Sequence, residues 1–241
     1  MFQLTINQFV KQHSYPKLSP KAVFFDMDGV LFDSMPAHAG AWVKAMHELE
    51  LPFSEHEAYM NEGRTGFATI NNAFRKKYGR DASEEEKQRI YKQKSAYFDE
   101  YGKAETIPYA LDLLKKLKTQ GLQLIVVTGS GQPSLLNKIE ESFPCIFEHD
   151  KMITAYDVKY GKPHPEPYLM ALQKSGVEPW EAVAIDNAPL GVKSASDAKL
   201  FTIGLNTGPL ESKILLEHGA DIVFDSMKEL NEQWDNLAKY S

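Results

Sequence analysis

The sequence predicts an α/β fold, and two patterns indicate it. Short apolar runs alternate with helical patterns along most of the chain, which is typical of parallel strands covered by helices on both faces. One long stretch near the N-terminus has helical patterns only and interrupts this alternation. With 241 residues the chain can form a core with an insertion. We therefore expect a Rossmann-like three-layer α/β/α core with a parallel sheet, plus an inserted all-helical cap domain.

Five apolar runs predict the strands of this sheet, at residues 23–25, 124–127, 183–185, 200–205 and 222–224. Polar residues follow three of them directly, namely Asp26, Thr128 and Asp186. Ligands of parallel sheets bind beyond the carboxyl ends of the strands. The sequence thus predicts that these three side chains converge on one site.

The helical stretch covers residues 34–104 and contains two capping boxes, Ser54-x-x-Glu57 and Ser83-x-x-Glu86. We expect it to form a cap placed directly after the first strand. Residues 21–33 and 105–241 would then form the core. Residues 1–20 are predicted to be an N-terminal extension of unknown role, set apart by Pro16 and Pro20.

Composition excludes several classes of partner. The formal net charge is −6 and no block of five Lys or Arg residues occurs, so neither nucleic acid nor a membrane is an expected partner. No apolar stretch approaches the roughly 20 residues of a membrane span, and the start lacks the pattern of a secretion signal.

Cys145 is the single cysteine, which excludes an intramolecular disulfide; we expect it to be buried. The single cysteine fits the reducing cytoplasm. We also expect a monomer, although no sequence feature determines the oligomeric state.

The segment Asp26-Met27-Asp28-Gly29 is the most informative motif. Its two carboxylates are two residues apart after a strand and therefore point to the same side, and Gly29 lets the backbone turn. Carboxylates this close repel each other unless a cation lies between them, and their oxygens suit Mg2+. One Asp could then be a nucleophile and the other a general acid and base. The alternative is an ordinary capped loop.

Thr128-Gly129-Ser130 follows the second strand, and Pro133 marks a helix start shortly afterwards. The hydroxyls and backbone N–H groups of such a turn could bind an anion, most naturally phosphate, with Gln132 nearby. A helix N-cap without a ligand explains the same pattern.

Two further strand-end motifs complete the predicted site. Lys162 lies among three prolines, which would hold its ammonium group rigidly beside a phosphoryl oxygen, although a lone lysine is usually a surface charge. Asp186-Asn187 ends the third strand and could supply metal ligands, or could cap the helix near Pro189.

Together, these motifs resemble those of the haloacid dehalogenase superfamily, in particular its beta-phosphoglucomutase-like subfamily, over roughly residues 21–230. The resemblance implies that Asp26 forms an aspartyl-phosphate and that Asp28 transfers protons. It also implies that Thr128 and Lys162 bind the transferring phosphoryl group. Mg2+ would be held by Asp26, the backbone carbonyl of Asp28, and the Asp186-Asn187 pair. The helical stretch would be the subfamily's cap.

Two departures from the subfamily concern the substrate. Asn187 stands where a second carboxylate is usual, which leaves the metal site one negative charge short. In the cap, Glu62 and Gly66 stand where sugar-phosphate mutases of the subfamily carry a Lys and an Arg for the distal phosphate. Arg64 could compensate for these by binding substrate. Glu62 could instead reach the metal, or be a solvated loop acid. His38 could assist proton transfer or pack beneath the cap.

With Glu62-Gly63-Arg64-Thr65-Gly66 and Asp186-Asn187-Ala188-Pro189-Leu190-Gly191, the chain is similar to a bacterial branch that includes inorganic pyrophosphatases. The sequence thus predicts a Mg2+-dependent phosphohydrolase for a small phosphorylated substrate, with pyrophosphate favoured. One alternative is a beta-phosphoglucomutase. The other is a phosphate-binding protein without activity, which would result if the site cannot bind Mg2+ because Asn187 replaces a carboxylate.

Overall fold

The computed structural model describes residues 2–101, 104–131 and 133–239. Its centre is a five-stranded sheet with the order β2-β1-β3-β4-β5, in which every neighbouring pair is parallel. All five predicted strands are present, and the predicted α/β fold is confirmed. The strands are β1 (Ala22–Phe25), β2 (Gln123–Val126), β3 (Ala182–Asp186), β4 (Phe201–Leu205) and β5 (Ile222–Phe224).

Helices connect these strands. The capping boxes predicted at Ser54 and Ser83 are both present, at the starts of α3 and α5 respectively. The helices are α1 (Phe2–His13), α2 (Met35–His47), α3 (Glu55–Met60), α4 (Gly66–Tyr78), α5 (Glu84–Glu100), α6 (Ala110–Thr119), α7 (Pro133–Ser142), α8 (Glu166–Ser175), α9 (Pro189–Asp197), α10 (Ser212–Glu217) and α11 (Met227–Ala238).

The sheet is buried on both faces because successive side chains of a strand point to opposite sides. Val23 and Phe25 of β1 pack in the larger apolar cluster, together with residues of α6 and α11. Ala22 and Phe24 pack in a second cluster, with residues of α8 and α9. The three layers follow directly from this alternation.

Helices α2 to α5, which we call the helical segment, form a cluster of their own around Met46, Ile70, Phe74 and Ile90. In this segment α2 packs against α3 and α5, and α4 packs against α5. The segment follows β1 directly, so that its first turn lies beside Asp26 and Asp28. The exact domain boundaries given above stay predictions.

The N-terminal extension is largely helical and contributes Ile6, Phe9 and Leu18 to the larger cluster. The ring of Phe9 lies edge-on to Phe201 of β4, with 5.3 Å between the ring centroids. The extension therefore packs on the core, a contact that the sequence patterns did not predict.

Cys145 is exposed and lies in a positive-φ turn (φ 60°) after α7, so the prediction that it is buried is wrong. Ile139 and Phe143 occupy the apolar positions of this region instead. Within the part of the chain that the structure describes, no helix has the length and apolar character needed to cross a bilayer. The monomeric state and the cytoplasmic location stay predictions.

Candidate active site

The carboxyl ends of β1, β2 and β3 bring together Asp26, Thr128 and Asp186, as the sequence predicts. The backbone N–H of Asp26 donates to the carbonyl of Ile185 at 2.9 Å, which continues the β1–β3 pairing to the first acid. All three strand-end side chains are buried. The polar edge of the sheet is therefore enclosed rather than open to solvent.

Lys162 lies between two of these carboxylates. Its Nζ donates to Asp26 Oδ1 at 2.5 Å and to Asp186 Oδ2 at 2.7 Å, and the residue is only 1% exposed. The surface-charge alternative for Lys162 is therefore wrong. Burial lowers the pKa of Lys162, but the two carboxylates outweigh it and raise the pKa above its ordinary value. The ammonium group stays charged, hydrogen-bonds to both acids and offsets the charge of one of them.

Burial raises the pKa of Asp26 to about 8, with Asp186 and Asp28 acting in the same direction and Lys162 against them.

Asp186 has hydrogen-bond partners besides Lys162. Its Oδ2 also accepts from the buried Tyr168 hydroxyl at 2.6 Å, and its Oδ1 accepts from the backbone N–H of Ala188 at 3.0 Å. Asp186 thus fixes the lysine that contacts the proposed nucleophile.

A chain of buried hydrogen bonds leads away from Asp28. Its Oδ1 accepts from the Ser34 hydroxyl at 2.5 Å and lies 3.2 Å from His38 Nε2. The other ring nitrogen, Nδ1, lies 2.6 Å from Lys94 Nζ. A charged lysine can only donate, so with Lys94 charged this network places the ring proton on Nε2, where it is donated to Asp28.

Burial alone would raise the pKa of Asp28, but His38, Ser34 and Lys94 lower it below its ordinary value. Burial, followed by the charge of Lys94, lowers the pKa of His38, so its ring is neutral. Asp28 is therefore held as a carboxylate, the form that accepts a proton from water. His38 also stacks on Phe98, at 4.2 Å between centroids, so it both packs beneath the helical segment and contacts Asp28.

Lys94 is a site residue that the sequence analysis missed. Burial lowers its pKa to about 7, and its Nζ lies 5.4 Å from the Trp42 ring centroid and 5.0 Å from that of Phe98. It falls on the same face of α5 as the buried Ile90 and Phe98, at the i, i+4 spacing. A lysine on an apolar helical stripe was the signal that could have identified it.

The turn after β2 also lies at the site. Thr128 Oγ1 accepts from the backbone N–H of Ser130 at 2.9 Å, so the hydroxyl stabilises the turn. Gly129 lies against Gly63 of the helical segment: a Cβ added at Gly129 would be 2.2 Å from the Gly63 carbonyl oxygen. Gln132, the fourth residue predicted here, lies outside the described residues.

Glu62 connects the helical segment to the core. The side-chain amide of Asn187 donates to both Glu62 oxygens, at 3.2 Å each, and both residues are buried. Burial raises the pKa of Glu62 well above its ordinary value, and the charges of Asp26 and Asp28 raise it further. The solvated-acid alternative for Glu62 is therefore wrong.

The donors at this position fit a hard cation. Asn187 Oδ1 is buried and has no hydrogen-bond partner among the described residues. An unpaired amide oxygen beside Glu62, in a site where Asp26 and Asp28 crowd together, is the kind of oxygen donor that Mg2+ binds. In the described ranges no three His, Cys, Asp or Glu side chains form a ready-made metal cluster. A metal site here would therefore depend on the amide and on backbone oxygen as well as carboxylates.

The site residues line a cavity of about 60 Å³ between the core and the helical segment. Asp26, Asp28 and Thr128 line it from the core, and Glu62 and Arg64 line it from the segment. Arg64 is partly buried, and its Nε has no hydrogen-bond partner in the described part of the chain. The structure thus brings the described site residues predicted from sequence into one region.

Comparisons with known proteins agree with this geometry. A family model described as haloacid dehalogenase-like hydrolase matches residues 20–199. A phosphorylated carbohydrates phosphatase of Thermotoga maritima is 31% identical over 209 residues, which cover 83% of this chain and 92% of that protein. A phosphoglycolate phosphatase of Salmonella typhi is 28% identical over 229 residues, covering 87% of this chain and 90% of the relative.

A solved structure from Bacteroides vulgatus, described as "Putative beta-phosphoglucomutase", is 51% identical and superimposes with a TM-score of 0.96. The superposition covers 99% of this chain and 97% of that one. With a family model that spans most of the chain, a relative above 30% identity, and a catalytic-type arrangement at the predicted strand ends, the chain belongs to the haloacid dehalogenase-like hydrolases.

Proposed function

We propose that the protein is a Mg2+-dependent phosphohydrolase that uses Asp26 as nucleophile and acts on a small phosphate compound, with inorganic pyrophosphate favoured. The observation that carries the proposal is the small cavity of about 60 Å³ with Asp26 and Asp28 in its wall. Pockets for drug-sized ligands are roughly 300–1,000 Å³. A compound of one or two phosphate groups requires the least enlargement of this cavity.

In the first step, an oxygen of Asp26 attacks phosphorus while the bond from phosphorus to the leaving oxygen breaks. Asp28 lies two residues away and is the group proposed to donate a proton to that oxygen, the proton being the one that Asp28 took from water in the preceding turnover. In the second step, Asp28 takes a proton from water, whose oxygen attacks the phosphoryl group and releases Asp26. One pyrophosphate and one water would give two phosphates.

Charge neutralisation decides the rate of such a transfer, because the transition state is loose and highly charged. Lys162 contacts Asp26 directly and is placed to offset the charge of both the nucleophile and the phosphoryl group. Thr128 and the turn that follows it are proposed to offer a hydroxyl and backbone N–H groups to the phosphoryl oxygens. Gly129, Ser130 and Arg64 are the proposed substrate contacts, and His38 is proposed to support proton transfer at Asp28.

Bound Mg2+ would supply further neutralisation of the phosphoryl oxygens. We propose that Asp26, the backbone carbonyl of Asp28, Asn187 and Glu62 hold it, and that Asp186 contributes either as a ligand or through Lys162. Glu62 would restore the charge that is missing at Asn187. The unpaired Oδ1 of Asn187 supports this set.

Beta-phosphoglucomutase is the second candidate, favoured by the description of the Bacteroides vulgatus structure. The descriptions of the Thermotoga maritima and Salmonella typhi relatives also name organic phosphates rather than pyrophosphate. Against a sugar bisphosphate stand the small cavity and the buried Glu62 at its wall. An acid in this position would repel a distal phosphate.

A substrate comparison separates the candidates. Phosphate release would be measured with Mg2+ from pyrophosphate, from phosphoglycolate and from hexose phosphates, and glucose 1-phosphate would be tested for isomerisation with a bisphosphate activator. We expect the highest kcat/KM with pyrophosphate. Faster isomerisation of glucose phosphate would establish the mutase, and faster hydrolysis of an organic phosphate would keep the mechanism but replace the substrate.

A further inference from the structure

A second cavity lies beside the catalytic one, on the side of the helical segment where α4 begins. This lateral groove has a volume of about 460 Å³, against about 60 Å³ for the catalytic cavity. Its wall combines the start of α4, the loop of residues 159–165 and the exposed face of α9. It is therefore formed jointly by the segment and the core.

Cations dominate the wall of the groove. Arg64, Lys159, Lys162 and Lys193 line it, although Lys162 Nζ is engaged by Asp26 and Asp186, and Asp197 is the one acid among its lining residues. Asp197 accepts from Lys193 Nζ at 2.6 Å and so neutralises that lysine in part. Lys159 has no ion pair with another described residue, and its Nζ lies over the Tyr160 ring, 4.9 Å from the centroid. The lining residues of the groove therefore carry more positive than negative charge.

Glu166 is an acid behind this loop, but it does not fully offset the positive charge of the groove. Its two oxygens accept from the backbone N–H groups of Lys159 and Tyr160, at 2.8 and 3.0 Å. His164 Nδ1 lies 3.9 Å from the same carboxylate. Glu166 is therefore used to hold the loop in place, which orients Lys159 and His164 at the groove.

Arg64 connects the two cavities because it lines both. Its Nε is buried and has no hydrogen-bond partner among the described residues. A guanidinium group binds phosphate oxygens through paired N–H donors, and Arg64 carries five N–H groups. An oxyanion in the groove would accept from the N–H groups of Arg64 that face it.

We propose that the lateral groove is a second phosphate-binding site, outside the catalytic cavity, in which Lys159 and Lys193 bind inorganic phosphate and Arg64, which lines both cavities, contacts it when no substrate engages the guanidinium group. The existence of the site does not depend on the proposed function. Its use by phosphate produced at Asp26 does rest on that function, whereas phosphate from solution would bind through the same contacts.

The test is equilibrium binding of radiolabelled inorganic phosphate at fixed ionic strength. The double variant Lys159→Ala/Lys193→Ala removes the two outer cations of the groove, neither of which lines the catalytic cavity. The matched control is Lys213→Ala/Lys228→Ala, which removes two exposed lysines that form (i, i+4) ion pairs on α10 and α11, as Lys193 does on α9. Circular dichroism would verify that both variants are folded.

We expect the groove variant to lose one bound phosphate per chain, or to bind it at least about tenfold more weakly, while the control matches the wild type. Equal binding by all three proteins would overturn the proposal. An equal loss in both variants would overturn it too, because the effect would then be one of net charge.

The source of the phosphate is distinguished by product release during turnover of pyrophosphate, followed with a phosphate sensor. A changed release rate in the groove variant assigns the groove to departing product, and lost binding with unchanged release assigns it to phosphate from solution. If the wild type does not hydrolyse pyrophosphate, the proposed function fails while the binding result stands.

Discussion

The side-chain amide of Asn187 donates to both carboxylate oxygens of Glu62, at 3.2 Å each. One residue belongs to the core and the other to the helical segment, so this contact joins the segment to the core beside the cavity that Glu62 and Asp26 line. It also brings a carboxylate to the one position where the strand-end motif lacks an acid. The pair therefore accounts for two departures from the subfamily pattern at once.

Glu62→Gln keeps the shape of this contact and removes its charge. If Glu62 helps to hold Mg2+, the concentration of Mg2+ that gives half-maximal rate should rise by about 10- to 100-fold. Restoring a carboxylate through Asn187→Asp should partly offset the loss in the double variant, because neighbouring substitutions are not additive. An unchanged Mg2+ dependence in Glu62→Gln would remove Glu62 from the metal site.

Lys94→Met removes the buried ammonium group but keeps an unbranched apolar stem. We expect kcat to fall by about 10- to 100-fold, because His38 loses the donor that fixes its ring and with it the hydrogen bond to Asp28. Thermal stability should stay equal or rise, since a buried charge is costly. The control is Lys44→Met, which removes an exposed lysine of α2 that pairs with Glu100. A loss of stability with unchanged kcat would mean that Lys94 is only structural.

Gly129→Ala tests the closest approach of the segment to the core. A Cβ at this position would be 2.2 Å from the Gly63 carbonyl oxygen, so the segment could not close fully. We expect kcat/KM to fall about 100-fold, because small displacements of catalytic groups are costly. In the control, Gly208→Ala, the new Cβ would meet Tyr59 at an ordinary 3.5 Å. Kinetics of Gly129→Ala equal to those of this control would show that closure does not matter for turnover.

Asp221, which lies outside the active site, should make the folded protein less stable as the pH rises. Burial raises its pKa to about 7, against the hydrogen bond from the backbone N–H of Thr202. Between about pH 4 and 7 the folded chain keeps a proton that the unfolded chain loses, so the contribution of Asp221 to stability falls as pH rises through this window. Above pH 7 this stabilising contribution of Asp221 is absent.

Asp221→Asn keeps a side-chain acceptor and has no proton to lose. We expect it to be more stable than the wild type at pH 8, by on the order of 1 to 2 kcal/mol, and the difference to disappear near pH 4. Urea unfolding at both pH values measures this. Glu141→Gln, at an exposed acid of α7, should show no such trend. A difference that is independent of pH would contradict the assignment to Asp221.

The sequence predicts the core of this site well for a physical reason. Parallel strands end at the same edge of a sheet, so Asp26, Thr128 and Asp186 could be brought together before any contact was known. The partners that hold them could not be predicted in the same way. Lys94 and Tyr168 come from faces of α5 and α8, and only the packed structure shows which helix face meets which acid.

The same limit applies to the helical segment and to the N-terminus. Glu62 and Arg64 lie in a loop whose placement depends on how the segment meets the core, so sequence left their roles open. Residues 2–13 carry apolar side chains at helical spacing, but their burial depends on contact with β4 and α11. Long-range packing of this kind has no local signature in the chain.

The central claim is that Asp26 is the nucleophile of a Mg2+-dependent phosphohydrolase. Asp26→Asn keeps the size of the side chain and removes the attacking charge. The most direct measurement is phosphate release from pyrophosphate at saturating Mg2+ by the wild type and by this variant. We expect the wild type to turn over and the variant to be slower by on the order of 10,000-fold or more, as losses of nucleophiles are. An Asp26→Asn protein that keeps most of the wild-type rate would contradict the account.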